Sequence, residues 1–220
     1  MAIADTYRGS ADTGYIPVDG QEQIGIPTDG VASIEVVPDR YHDLLWSLYQ
    51  ETFTEIQEET PTLQIMHEDD FKRALIDPEI TKMFSFSDGQ PATMLIYSSI
   101  KKSPEYFPWN SLPYFEKNFP DDYESDRMYY FVGLFTNPAF QGSGDFMSLV
   151  KPLFDDIRTR HPEGAHFIYD CCNANEWLAE VLYSLAERYH ASLPENERWS
   201  VGALGRLGTQ TYYSIPMTQE

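Results

Sequence analysis

The residues with the clearest chemistry run Asn137-Pro138-Ala139-Phe140-Gln141-Gly142-Ser143-Gly144. Ahead of them, Tyr129 to Thr136 is an apolar run of strand character; behind them, Asp145 to Arg160 has the spacing of a helix. Pro138 stops strand pairing, and Gly142 and Gly144 allow a sharp turn. A loop of this kind at a helix start presents successive backbone N–H groups and the positive end of the helix dipole to one point. Such a cradle suits an anion, above all a phosphate or pyrophosphate. The competing reading is a plain strand-to-helix turn in which Asp145 caps its own helix.

The elements that must position this loop can be read on either side of it. Residues 1–32 are rich in Gly, Asp, Thr and Pro and read as a flexible or extended arm. Residues 33–220 read as a single domain. Ile34 to Val37 is the first expected strand. A helix follows with Leu44, Leu45, Leu48, Tyr49, Phe53 and Ile56 at helical spacing, then a second from His67 to Leu75. Thr81 to Phe86 and Ala92 to Ser99 read as a hairpin around Ser87-Asp88-Gly89-Gln90. Ala165 to Asp170 is the strand after the loop's helix, Trp177 to Tyr189 a further helix, Gly202 to Gly208 a turn region and Thr209 to Ile215 a last strand. This order predicts a mixed sheet with helices on both faces.

Residues 103–127 stand apart. Tyr106, Phe107, Trp109, Tyr114, Phe115, Phe119 and Tyr123 fall among prolines and acids, and an aromatic load of that size needs burial or a ligand.

The loop in its setting resembles the signature of the GNAT N-acetyltransferase family: a central strand runs into a proline, then Gln or Arg, then x-x-G-x-G/A at a helix start. Pro138 and Gln141 keep the family's spacing, and Gly142 and Gly144 stand where its glycines stand. The resemblance covers about residues 34–216 and rests on element order plus this loop. It implies the acyl-CoA N-acyltransferase fold, an α/β mixed and mostly antiparallel sheet of about six or seven strands, splayed between the fourth and fifth. It implies acetyl-CoA as acyl donor, with the loop amides, Gln141, Gly142, Ser143, Gly144, Asp145 and Phe146, around the pyrophosphate. Leu134, Phe135 and Thr136 would then pair their backbone with the pantetheine arm.

A second match is Ala179-Glu180-Val181-Leu182-Tyr183, similar to the family's A-x-x-L-Y in the helix after the fifth strand. It implies Tyr183 as general acid on the thiolate leaving group. The Asn that precedes this motif stands three residues before the Ala in the family; here Asn175 stands four before. Read from the residues alone, Tyr183 is equally a helix-face aromatic packed on the sheet.

The chain departs from the pattern at Phe146, where the family carries Gly or Ala, and at Asp145, a carboxylate beside the expected phosphate site. The carboxylate that the family often places on the fourth strand has no counterpart between Tyr129 and Phe135. A base must come from Asp170 at the end of the fifth strand, from Asp126 or Glu124 ahead of the fourth, or from a water.

The formal charge of -20 disfavours nucleic acid and leans toward cationic amines. The five histidines are scattered and predict no metal site, and Cys171 and Cys172 read as two reduced thiols at a strand end. The first residues lack a signal peptide's basic start, and no apolar run reaches the roughly 18 residues of a membrane span. The expectation is a cytoplasmic protein without a membrane partner.

Two functions of different class fit. One is an acetyl-CoA-dependent N-acetyltransferase acting on a primary amine of a small molecule or peptide. The other is a catalytically degenerate protein of the same fold serving as a binding or assembly module, which Asp145, Phe146, the missing strand carboxylate and the aromatic segment favour. A third version keeps the enzyme and makes residues 103–127 the wall of an acyl or aromatic substrate pocket. Against it stand a lid packed on the sheet and a homodimer contact.

Overall fold

The computed structural model describes residues 14–15, 29–59, 64–141, 144–171, 176–195, 198–202, 205–207 and 212–219. Gly142, Ser143, Cys172 and Asn175 lie outside the described residues. The chain order is β1 (Gly14–Tyr15), β2 (Gly30–Ser33), α1 (His42–Glu59), α2 (Glu68–Ile76), β3 (Thr81–Ser87), β4 (Gln90–Ser99), α3 (Leu112–Asn118), α4 (Pro120–Glu124), β5 (Met128–Thr136), α5 (Asp145–Arg160), β6 (Gly164–Asp170), α6 (Glu176–Ser192), β7 (Trp199–Val201), β8 (Gly205–Leu207) and β9 (Tyr212–Gln219). Of the expected arm, Gly14–Tyr15 and Gly30–Ser33 are strands of the sheet.

The strands form one mixed sheet in the order β1-β2-β3-β4-β5-β6-β9-β7, with β8 also on β9. Among the described residues this makes nine strands. The two-residue β1 and the three-residue β7 and β8 account for the excess over the expected six or seven. From β2 to β5 every pairing is antiparallel, and β5 pairs with β6 in parallel. The β5–α5–β6 crossover supplies the connection that parallel strands require.

Alternation along the strands sends side chains to two cores. Leu95, Tyr97, Tyr129 and Phe131 face α5 and α6, where they meet Leu149, Leu153, Phe154, Ile157, Leu182 and Ala186. Met94, Ile96, Met128 and Tyr130 face α1, α2 and the aromatic segment, meeting Leu45, Leu48, Tyr49, Phe71 and Phe107. Helix α1 buries Leu45, Leu48 and Tyr49 at the spacing read from the sequence, and Phe53 packs half-buried beside them. Helix α2 starts on Glu68, Asp69 and Asp70, which suit its positive end. At its other end the Lys82 ammonium, fully buried, donates to the carbonyls of Asp77 (2.6 Å), Ala74 (3.4 Å) and Glu35. Burial pushes its pKa down to about 8.

Five elements differ from the sequence reading. The first strand ends at Ser33 rather than beginning at Ile34, because the chain bends at Glu35–Val36. Ile34 and Val37 are buried in the core all the same, and their N–H groups donate to the Lys82 and Leu75 carbonyls. The last strand runs Tyr212–Gln219, later than expected, in register with β6 from Gly164 to Asp170. The expected turn region contains the strand Gly205–Leu207, and Trp199–Val201 is a strand the sequence did not signal. Residues 103–127 hold two short helices rather than a bare loop. No described helix is long and apolar enough to cross a membrane.

His190 on α6 is buried against Phe154, Tyr189 and the Met217 sulfur. Burial, with a smaller effect of the Arg158 charge, pushes its pKa down to about 4. Between 6.5 and 4 the unfolded chain binds a proton that the folded chain refuses. The contribution of the neutral ring is therefore whole above the unfolded value and is lost as pH falls toward 4. We expect His190→Gln to lose about 2 kcal/mol less than the parent between pH 7 and pH 5, measured by urea denaturation at each pH.

Candidate active site

One extra residue in β5 shapes the site. Ile96 pairs with Gly133 and Tyr97 with Phe131, so Val132 is a bulge. Parallel pairing with β6 ends at the same place, at Phe131 opposite Tyr169. From Gly133 to Thr136, β5 has a partner in β4 and, among the described residues, no strand partner on its β6 side. Gly133 sits under Phe53 of α1, and a Cβ there would stand 3.3 Å from the Phe53 ring. The absent side chain lets α1 close over the bulge.

Above this splay lies a cleft of about 90 Å³. Its walls come from α1 (Tyr49, Phe53), the aromatic segment (Phe107, Trp109), β5 (Tyr130 to Leu134), the end of β6 (Asp170, Cys171) and α6 (Leu178). It opens past the carboxyl ends of two parallel strands, where open α/β sheets place ligands. Asp170 is its one charged wall residue among those described.

Asp170 is held in a chain of hydrogen bonds. Trp109 Nε1 donates to Tyr130 Oη at 3.2 Å, and the Tyr130 hydroxyl donates to Asp170 Oδ1. As a residue Asp170 stays open to solvent, yet the protein packed around its carboxyl raises its pKa, and the Tyr130 hydroxyl only partly opposes this. Tyr49 is near enough to feel that charge. Its hydroxyl accepts from the Met66 N–H at 3.0 Å, and its pKa is pushed up to about 12 by burial first and by Asp170 in addition. A carboxyl that ionises less readily than usual, facing an apolar cleft, is a group able to take up a proton.

The aromatic segment is pinned where it turns. Ser103 Oγ donates to the Ile100 carbonyl at 2.9 Å, Asn110 Nδ2 to Ser103 Oγ at 2.8 Å, and Tyr106 Oη to Asp77 Oδ2 at 2.6 Å. Phe107 and Phe115 are buried, and Trp109 is presented half-buried to the cleft.

At the far end of β5, Asn137 Oδ1 accepts from the Ala139 N–H at 3.0 Å and starts a 3-10 turn, Pro138–Phe140. Gln141 is exposed beyond it. Gly144 is left-handed at φ 85, with nothing within 4 Å of where a Cβ would lie, and it opens α5. The two departures from the family signature are both half-buried against the protein. Phe146 packs half-buried on the α5–α6 core, and Asp145 Oδ1 lies 3.4 Å from Ser87 Oγ on the β3–β4 hairpin.

The structure therefore brings Asp170 and Leu134 into one cleft, with Phe135 and Thr136 continuing along the same strand. Phe135 turns to the opposite core, and the Thr136 hydroxyl lies 3.1 Å from that of Thr93. Tyr183 stands on α6, half-buried against the core and hydrogen-bonded to Glu187, which raises its pKa; it is outside the cleft's described lining. Asp126 accepts from Ser99 Oγ at the other end of β5, remote from the splay. Tyr49, Phe53 and Tyr130 were missed because each sits in a helix or strand pattern that core packing alone explains. Trp109 carried a signal in its crowded aromatic neighbourhood. Among the described residues no cluster of His, Cys, Asp and Glu could hold a metal.

No protein-family model matches the sequence, and no curated protein matches it. Solved structures do. The chain superposes on AAC(6')-Ib in complex with paromomycin and acetyl-CoA with a TM-score of 0.50 at 12% identity, over 87% of this chain and 94% of that one. The aminoglycoside acetyltransferase AAC(6')-Ib in complex with coenzyme A and kanamycin gives 0.50 and 12%, over 86% and 95%. The likeness is one of fold: the chain is a divergent bearer of the acyl-CoA N-acyltransferase, or GNAT, fold.

Burial raises the Asp170 pKa, and the hydrogen bond from Tyr130 opposes part of that rise. Tyr130→Phe should raise it further. Carboxyl-carbon NMR titration reads this directly, with Asp170→Asn assigning the resonance; an unmoved midpoint would contradict the arrangement.

Proposed function

We propose that this protein is an acetyl-CoA-dependent N-acetyltransferase acting on the primary amine of a small molecule. One observation carries the reading. The β5 edge that, among the described residues, lacks a strand partner runs from a cleft holding Asp170 toward the start of α5. An open strand edge can pair with an extended amide-bearing arm, and a helix N-terminus with a left-handed glycine before it can face a pyrophosphate. The two solved structures of like fold named above are complexes with acetyl-CoA and with coenzyme A, which supports the same occupant here.

We assign Leu134, Phe135 and Thr136 to the arm, and the amides of Gln141, Gly142, Ser143, Gly144, Asp145 and Phe146, with Asn175, to the rest of the donor. Phe146 turned to the core and Asp145 turned to Ser87 are compatible with a diphosphate at these amides. Bound there, acetyl-CoA would supply the acyl group as a thioester. The chain's own part is to place and deprotonate the amine. Asp170 takes the ammonium proton on a carboxylate oxygen, and its raised pKa makes that transfer less uphill than to an ordinary carboxylate. Tyr130 and Trp109 fix the direction of that carboxylate. Tyr183 keeps a proton on its hydroxyl at neutral pH and is our general-acid assignment. Holding amine and acyl donor together supplies much of the remaining rate. The unit that does this is read as one domain over residues 33–220, behind an arm of residues 1–32 whose Gly14–Tyr15 and Gly30–Ala32 add to the domain's sheet.

Millimolar acetyl-CoA should raise the melting temperature, and absence of any shift would sink the reading. Asp170→Asn should lower kcat with a generic primary amine by about 100-fold while leaving acetyl-CoA affinity within about twofold, read by thiol release and calorimetry. Gly144→Val, strained at φ 85, should weaken acetyl-CoA binding by at least about tenfold.

A further inference from the structure

The walls of the cleft are largely aromatic. Tyr49, Phe53, Phe107, Trp109 and Tyr130 supply five rings from three separate parts of the chain, and Asp170 supplies the one described carboxylate among them. We propose that the acceptor is an arylalkyl monoamine: one cationic amine on a short chain, carrying one aromatic group. The inference rests on the acetyltransferase reading for its chemistry, but it makes a claim about binding that stands apart from catalysis.

Two features select this class. First, charge. A single carboxylate balances a single ammonium, and each further ammonium of a polyamine would be desolvated against the walls with no second described carboxylate to pair it. Second, the walls. Aromatic faces bind a flat ring by offset or edge contacts and attract a cation near them. The Trp109–Tyr130–Asp170 chain joins the two requirements, since the ring that lines the wall also orients the carboxylate.

A long acyl chain is the other guest such a cleft suggests. Asp170 argues against it, because a neutral chain would strip water from a carboxylate and return no hydrogen bond. The overall charge of -20 adds long-range attraction for a cation.

The test uses direct binding on the full chain, by calorimetry with 2-phenylethylamine, spermidine, kanamycin and hexanoate as separate probes, and acetyl-CoA titrated independently. The expected result is that 2-phenylethylamine binds at least tenfold more tightly than the other three. Trp109→Ala should weaken it by at least tenfold, Trp109→Phe by much less, and Asp170→Asn by at least tenfold. Should Trp109→Ala fail to fold, Phe53→Leu on the α1 wall is read the same way. Tighter binding of spermidine, kanamycin or hexanoate overturns the inference. So does 2-phenylethylamine affinity that ignores both the wall variants and Asp170→Asn. A failed acetyl-CoA titration, by contrast, removes the acetyltransferase reading and leaves the amine measurements to decide the inference alone.

Discussion

In β5, Val132 and Gly133 occupy a place where regular pairing with β4 would put one residue. A bulge bends its strand and increases the local twist, and here it falls where β5 and β6 stop pairing. Nearly everything at the site follows from that divergence. It opens the cleft, gives β5 an edge toward α5, and brings the Asp170 carboxylate at the end of β6 into view of α1. The bulge also reverses the side-chain alternation. Tyr129 and Phe131 face the α5–α6 core, whereas Phe135, an even number of residues on, faces α1 and α2. Without the extra residue, Phe135 would leave its place between Tyr49 and Phe71.

The divergence leaves a gap that the sheet cannot fill, and the aromatic segment covers one side of it. Ser103, Asn110 and Tyr106 tie the segment to the Ile100 carbonyl, to one another and to Asp77, so it can be rigid without secondary structure along its whole length, although the Asn110 Oδ1 is buried without a hydrogen-bond partner. That rigidity lets Trp109 serve both as wall and as hydrogen-bond donor. Burial then sets the electrostatics: the same packing that makes the cleft apolar raises Asp170 and Tyr49 toward their protonated forms. A similar balance operates far from the site at Lys82, where three carbonyls hold a buried ammonium at the end of α2.

Much of the fold was legible along the chain. Helix α5 was read at its observed limits, and α1, α2, β3, β4, β5, β6 and α6 within a few residues, because apolar periodicity and turn residues are local signals. The misreadings have physical causes. Ile34 to Val37 has strand-like alternation, but Lys82 draws in the Glu35 carbonyl and the chain bends there. Gly205–Leu207 looks like a turn because its glycines are visible locally and its partner, β9, is not.

The chain by itself determined the loop from Asn137 to Gly144, the helix it starts, and the placing of a carboxylate, Asp170, at a strand end. Those depend on residue types at short spacing. Tertiary structure alone decided that Asp170 meets Tyr130, Trp109 and Tyr49, which lie 40, 61 and 121 positions away in the chain. It also decided that Phe146 turns inward and Asp145 toward Ser87. A bulge and the divergence of two parallel strands arise only when strands distant in sequence pair, and no local pattern in Tyr129 to Thr136 encodes the partner's register.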